Sequence, residues 1–251
     1  MVVLYFSGTG NTKYIAKRFA DKMSVKSYSI ELDNNFKELI LRNDTITFCY
    51  PIYGSCVPKI MRIFVEKYKK FLNNKKIIIL ITQVLFSGDG ARVFTDLLDG
   101  VKYEVIYAEH FNMPLNIPNI PVIDVKNGEK LNKKIEKANK KLDKVCNDIN
   151  NKIIKKRGFN KFSEFVGAKL QRNGFERMEE KVKNPVSVND DCILCLRCVK
   201  VCPMNNLFLN NGKIEQREIC TLCDRCMNKC PKKAITVLSH GKVREQYRGI
   251  D

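Results

Sequence analysis

Eight of the eleven cysteines in this 251-residue chain fall into two runs of identical spacing. The first is Cys192-x-x-Cys195-x-x-Cys198-x-x-x-Cys202-Pro203, and the second is Cys220-x-x-Cys223-x-x-Cys226-x-x-x-Cys230-Pro231. Three thiolates so spaced can turn inward from a tight loop onto one face of an iron–sulfur cube, while the fourth leaves on a helical turn and reaches another cube. The spacing predicts a crossed pair of [4Fe–4S] sites. Cys192, Cys195, Cys198 and Cys230 would hold one, and Cys220, Cys223, Cys226 and Cys202 the other. Structural zinc is the competing chemistry for paired C-x-x-C units, but a four-ligand ion has no use for a third cysteine and a Cys-Pro, twice over. A disulfide framework would need an oxidising compartment, to which nothing in the sequence directs the chain.

The second chemical signal lies at the other end. The apolar run Val2–Phe6 leads into Ser7-Gly8-Thr9-Gly10-Asn11-Thr12, after which Tyr14, Ile15, Phe19 and Met23 recur at helical spacing. A strand, a glycine- and hydroxyl-rich loop, then a helix is an arrangement that cradles a phosphate at the positive helix terminus. The loop lacks Gly-Lys-Ser/Thr and G-x-G-x-x-G, so neither a triphosphate loop nor a dinucleotide fingerprint is present.

These groups need positioning elements. Further strands are expected at 25–32, 44–50, 76–82 and 102–108, with helical stretches at 57–70 and 91–99, an alternation that argues for a parallel sheet covered on both faces. Glu109–Val125, with Pro114, Pro118 and Pro121, is expected to cross in extended form. Leu131, Ile135, Ala138, Leu142, Val145, Ile149 and Ile153 then form one apolar stripe on a long helix. Gly158 should break it, and residues 159–182 suggest a second helical piece. Asn184-Pro185 marks a boundary, and Asn211-Gly212 has the chemistry of a hairpin turn.

Over the last quarter of the chain the cysteine runs resemble those of bacterial-type two-cluster ferredoxins. A glycine usually follows the second cysteine of each run in that family; here Leu196 and Asp224 stand there. Over residues 1–157 the Ser7–Thr12 loop and the strand pattern resemble the flavodoxins. That resemblance implies a doubly wound five-stranded parallel sheet of order 2-1-3-4-5, with FMN phosphate on Ser7, Gly8, Thr9, Gly10, Asn11 and Thr12. Two loops would flank the flavin ring, Pro51–Pro58 and Gln83–Gly90, with Pro51, Ile52, Tyr53, Gly54, Ser55, Phe86, Ser87, Gly88 and Asp89 as the expected contacts. Tyr53 is the expected stacking aromatic and Phe86 the next choice, since the chain has no tryptophan. The backbone of Gly54, Ser55, Ser87 and Gly88 would donate to the polar edge of the ring.

The whole chain is similar to flavodoxin–ferredoxin fusion proteins of anaerobes. The expected division is a flavodoxin-like FMN domain at 1–157, a helical docking segment at 158–183, and a small α+β two-cluster ferredoxin domain at 184–251. The activity implied is electron transfer between two [4Fe–4S] clusters and one FMN, with no catalytic acid or base. A flavin reductase that acts on a small substrate and takes electrons through the clusters is the alternative. A flavin-free binding module is a third reading, against which the intact Ser7–Thr12 loop counts.

The chain carries a formal charge of +18. Residues 126–183 hold 18 Lys and Arg against 8 Asp and Glu, which reads as a solvated face or a docking surface for an acidic redox partner. No nucleic-acid reader motif accompanies it. No apolar run approaches a membrane span, and without a leader the expected location is cytoplasmic. Cys49 and Cys146 are expected as buried small hydrophobes, Cys56 as an unactivated thiol near the flavin, and His110 and His240 as structural or surface residues.

Overall fold

A computed structural model of the chain describes residues 1–118, 129–239 and 243–250. The N-terminal part alternates strands and helices: β1 (Val2–Tyr5), α1 (Asn11–Lys22), β2 (Ser27–Ser29), α2 (Phe36–Leu41), β3 (Thr45–Pro51), α3 (Lys59–Tyr68), β4 (Lys75–Gln83) and β5 (Tyr103–Asn112). A long helix α4 (Glu129–Asn150) and a short strand β6 (Lys155–Lys156) complete it. The strands form one wholly parallel sheet, ordered β2-β1-β3-β4-β5-β6.

Strand β4 shows why the sheet lies in the middle. Ile77, Ile79 and Ile81 pack on one face with α2, α3 and the tight 3-10 turns of Arg92–Leu98, while Ile78 and Leu80 pack on the other with α1 and α4. All five are fully buried. A strand covered on both faces needs an unbroken apolar run, because alternate side chains point to opposite layers.

The order 2-1-3-4-5 is as expected, and β6 extends it by pairing with Tyr107 and Ala108. The expected helical stripe stops short of Ile153, which is 50% exposed and lies beyond the end of α4. Lys152 takes a left-handed conformation (φ 58°), which turns the chain back so that Lys155 and Arg157 reach the buried Glu109 carboxylate at 2.8 and 3.2 Å. Helix α2 was not expected; Asn35 caps it by accepting from the Glu38 N–H. Glu109–Asn112 belong to β5, and residues 119–125 of the expected extended crossing lie outside the described residues.

The segment after β6 is helical from Lys161 to Lys181, as α5 (Lys161–Phe165), a π-helical stretch (Val166–Arg172) and α6 (Asn173–Lys181). Beyond it lie β7 (Val186–Val188), α7 (Arg197–Val201), β8 (Leu207–Asn210), β9 (Lys213–Gln216), α8 (Arg225–Lys229) and β10 (Ile235–Val237). Strands β7 and β10 pair antiparallel, and β8 and β9 form the expected hairpin, with Asn211 (φ 44°) and Gly212 (φ 73°) in its turn. The sequence repeat is also a backbone repeat. Leu196 and Asp224 enter α7 and α8 at φ/ψ of 58°/12° and 55°/12°, and Cys202 and Cys230 leave them at −71°/115° and −71°/117°. No described helix is long and apolar enough to cross a membrane.

Candidate cluster and flavin sites

The eight clustered cysteines line two separate apolar cavities. Cys192, Cys195 and Cys198 line the first together with Cys230 from the other run. Cys220, Cys223 and Cys226 line the second together with Cys202. Each fourth cysteine is carried across by its short helix: Cys202 directly follows α7 and Cys230 directly follows α8. The repeat extends to the sulfurs, since Cys202 Sγ accepts from the Asn206 N–H (3.2 Å) and Cys230 Sγ from the Ala234 N–H (3.3 Å). Leu222 N–H donates to Cys220 Sγ at 3.4 Å. Such donors favour the thiolate that a cluster iron requires.

Burial acts in the opposite direction on the free thiols. It pushes Cys220 up to about 11 and Cys223 up to about 12, and it raises Cys198 and Cys226. Without metal these four thiols stay protonated at neutral pH, so their ligation must release protons. Four cysteines around each apolar cavity, with amide donors on the sulfurs of Cys202, Cys220 and Cys230, form a donor set that fits a [4Fe–4S] cluster.

At the carboxyl end of the parallel sheet is a cleft of about 430 Å³. Ser7, Gly8, Thr9, Asn11 and Thr12 line one side, and Pro51, Ile52 and Tyr53 another. The loop's side chains hold the loop itself. Ser7 Oγ accepts from the Gly10 N–H (3.2 Å), Thr9 Oγ1 from Asn116 Nδ2 (2.6 Å), and Thr12 shares a hydrogen bond with Thr82 (2.7 Å). Helix α1 begins at Asn11 with no side-chain cap and no acid in its first turn. Its leading N–H groups therefore have no partner within the helix and sit at its positive end, as an anionic phosphate requires. The Tyr53 hydroxyl is buried and has no hydrogen-bond partner among the described residues. An uncapped helix end on a cleft lined by the Ser7–Thr12 loop and the Tyr53 side chain fits a flavin mononucleotide.

The other expected ring-binding residues lie elsewhere. Gly54 packs against the Phe175 ring, and buried Ser55 donates to the Ser87 carbonyl (2.7 Å) and to Gln171. Ser87 Oγ donates to Gln83 Oε1 (2.5 Å), and Gly88 packs on Gly167. Asp89 is fully buried between Arg92 (2.8 Å) and Arg172. Phe86 is 43% exposed and absent from the cleft lining. The cause is the helical segment 161–181, whose π-helical stretch brings Gly167, Gln171 and Arg172 down onto both loops. Gln83 and Val84, at the start of the second expected loop, do line the cleft; sequence reasoning missed Thr82 at the end of β4, and Met113, Pro114 and Asn116 beyond β5. The strand ends were legible as the ligand-binding edge of such a sheet; Asn116, in an irregular stretch, carried no signal.

The second cysteine set and the loop at the start of α1 are in direct contact. Arg225, between Cys223 and Cys226, donates to the carbonyls of Ser7 (2.7 Å) and Gly8 (2.8 Å). A Cβ on Gly8 would stand 2.7 Å from the Cys223 carbonyl and 3.0 Å from the Tyr53 hydroxyl, so only glycine admits this approach. Thr221 Oγ1 accepts from the Ile60 N–H (3.3 Å), and Asn228 Nδ2 donates to the Asn116 carbonyl (2.8 Å). From residues 243–250, Tyr247 donates to Asn11 Oδ1 (2.6 Å).

The remaining thiols are quiet. Burial pushes Cys56 up to about 12 and Cys146 up to about 11, and raises Cys49. His110 is fully buried and held down to about 4 by burial and then by Arg157. His240 lies outside the described residues.

Residues 2–113 match the family model described as a flavodoxin domain, and residues 185–208 match the model of a 4Fe-4S binding domain. No curated protein matches the chain. A two-electron reduced flavodoxin of Megasphaera elsdenii is similar over 45% of this chain and 86% of its own, at 23% identity and a TM-score of 0.41. A flavodoxin from the domain Archaea is similar over 59% and 97%, at 13% identity and a TM-score of 0.39. A Streptococcus pneumoniae TIGR4 flavodoxin is similar over 57% and 97%, at 16% identity and a TM-score of 0.32. This chain joins a flavodoxin domain to a 4Fe-4S binding domain, a pairing for electron transfer that implies FMN in the first and an iron–sulfur cluster in the second.

Proposed function

We propose that the chain holds one FMN and two [4Fe–4S] clusters and passes electrons among them. FMN when bound exchanges one or two electrons, and each cluster exchanges one, so their union suits traffic between single- and paired-electron carriers. The FMN phosphate would rest on the Ser7–Thr12 loop and the first turn of α1, with Tyr53 and the end of β4 beside the ring. Cys202, Cys220, Cys223 and Cys226 would hold the cluster near the flavin. Cys192, Cys195, Cys198 and Cys230 would hold the far one. Residues 1–157, 158–183 and 184–251 would act as flavin domain, docking segment and cluster domain. Phe175 and Met178 of α6 support the middle assignment, since they pack with the buried residues around the cysteines while Arg172 pairs with Asp89.

The observation that carries the reading is the grip of Arg225 on the Ser7 and Gly8 carbonyls, which brings Cys223 against the phosphate loop. It keeps the two sites at a fixed short separation, so that no encounter step precedes transfer between them. The test is anaerobic isolation followed by iron, sulfide and flavin assays, then reductive titration. About eight irons and one FMN per chain are expected, with cluster reduction followed by flavin reduction. Zinc in place of iron, or flavin that stays oxidised beside reduced clusters, would overturn the reading.

A further inference from the structure

One ligand of the far cysteine set reaches the surface: Cys195 is exposed, Cys192 is half-buried, and Cys198 and Cys230 are buried. Beside Cys195, Ile193 and Leu194 are 56% and 42% exposed. In the other set no cysteine is exposed, and Cys223 packs among flavodoxin-domain residues. Next to the far cavity is an open hollow of about 760 Å³, and the two share Arg197, Cys230 and Pro231 in their walls. Lys229, Lys233 and Arg248 also line the hollow, against the single carboxylate of Glu245. Lys233 donates to the Arg244 carbonyl (2.8 Å), a bond that leaves its charge intact. Positive charge thus gathers in a hollow whose wall includes Cys230 of the far set, and the exposed Cys195 and its apolar neighbours line the adjoining cavity.

The chain's other concentration of lysines has no such neighbour. Helix α4 exposes Lys133, Lys137 and Lys144, but it packs on α1 and β5, and none of the eight cluster cysteines is in that packing group.

We propose that the hollow beside Cys230, rimmed by Arg197, Lys229, Lys233 and Arg248, is the docking surface of an acidic one-electron carrier protein. The inference rests on the reading of two clusters given above and names the partner of the far one. In each encounter one electron passes between the carrier's redox centre and the cluster held by Cys192, Cys195, Cys198 and Cys230. The donor is oxidised by one electron and the acceptor reduced by one, and no bond or proton changes hands. Complementary charge raises the encounter rate and loses its effect as salt screens it, whereas the apolar pair supplies area that excludes water.

The test uses the full holoprotein and a chemically reduced, acidic plant-type [2Fe–2S] ferredoxin as probe, mixed anaerobically in a stopped-flow instrument. For the unaltered chain the second-order rate should fall as salt rises. K229E/K233E/R248E should lower the low-salt rate by about tenfold or more, while K133E/K137E/K144E should stay within about twofold of the unaltered chain. The neutral K229Q/R248Q should fall between, which guards against a folding defect in the triple variant. A salt-independent rate, a hollow variant that reacts at the unaltered rate, or an equal loss in the α4 variant would overturn the proposal. Iron, flavin and dithionite-driven flavin reduction are measured in every variant. Their loss in the unaltered chain would overturn the two-cluster reading instead.

Discussion

Arg225 and Glu31 form a two-pronged ion pair across the join between the two domains, Nη1 to Oε2 at 2.6 Å and Nη2 to Oε1 at 2.8 Å. Each side chain is 18% exposed, and the same guanidinium also binds the carbonyls of Ser7, Gly8 and Val201. The planar fork of arginine suits this use, and lysine could not replace it.

Arg225→Met should therefore cost about 3 kcal/mol, because it leaves a mostly buried carboxylate and three carbonyls without their donor. Glu31→Gln should cost less, about 1 kcal/mol, since the carbonyl contacts persist. Anaerobic denaturant unfolding and limited proteolysis measure both. Unchanged stability and protease resistance in Arg225→Met would mean that the join is held elsewhere.

Cysteine and loop changes should separate the cofactors. Cys195→Ala should reduce iron from about eight to about four per chain while flavin content holds. Thr12→Val should weaken FMN and keep the iron. It also removes the buried bond to Thr82, at a cost of about 1 kcal/mol in stability. Iron and flavin assays on the same preparation check both, and loss of both cofactors from either variant would contradict the division.

His110 should give the protein an acid-side instability. Its ring nitrogens have no hydrogen-bond partner among the described residues, and Glu109, Lys141, Arg157 and Asp89 are the charges that act on it. Burial and the Arg157 charge depress it from 6.5 to about 4. The unfolded chain therefore takes up this proton as pH falls through 6.5, while the native protein resists until about pH 4. The neutral ring's contribution is complete above pH 6.5 and is lost as pH falls toward 4, by up to about 3 kcal/mol. His110→Leu should flatten unfolding free energy against pH in that window, and an unchanged slope would refute the assignment.

Tyr247 should help to hold the phosphate loop from the far end of the sequence. Its ring is 1% exposed, its hydroxyl donates to Asn11 Oδ1 at 2.6 Å, and its N–H donates to Asn228 Oδ1 at 2.7 Å. Tyr247→Phe should cost about 1 kcal/mol in stability and weaken FMN severalfold, with iron content unaffected. FMN titration of the apoprotein is the measure, and unaltered affinity would confine Tyr247 to a packing role.

Residue order alone determined what is local here. The cysteine spacing, the Ser7–Thr12 loop after an apolar run, and Asn211-Gly212 each encode their geometry within a few residues, because side-chain type and turn chemistry act over that range. The unbroken apolar run of β4 likewise announced a strand buried on both faces. Leu196 and Asp224 flagged a departure from the usual glycine, yet the backbone still enters the left-handed region at both.

Only the tertiary structure decided which of the expected loops faces the cleft. Tyr53 lines it, but Ser55 and Asp89 are taken up by Gln171 and Arg172, more than eighty residues away in the chain, and Ser87 by Ser55 and Gln83. No periodicity or motif in 161–181 announces those partners, since a hydrogen bond between distant segments depends on how helices settle on the sheet. For the same reason Glu31, Arg225 and Tyr247 told nothing of this join as isolated letters. Their roles arise from surfaces that exist only once the cysteine-bearing part has folded against the phosphate loop.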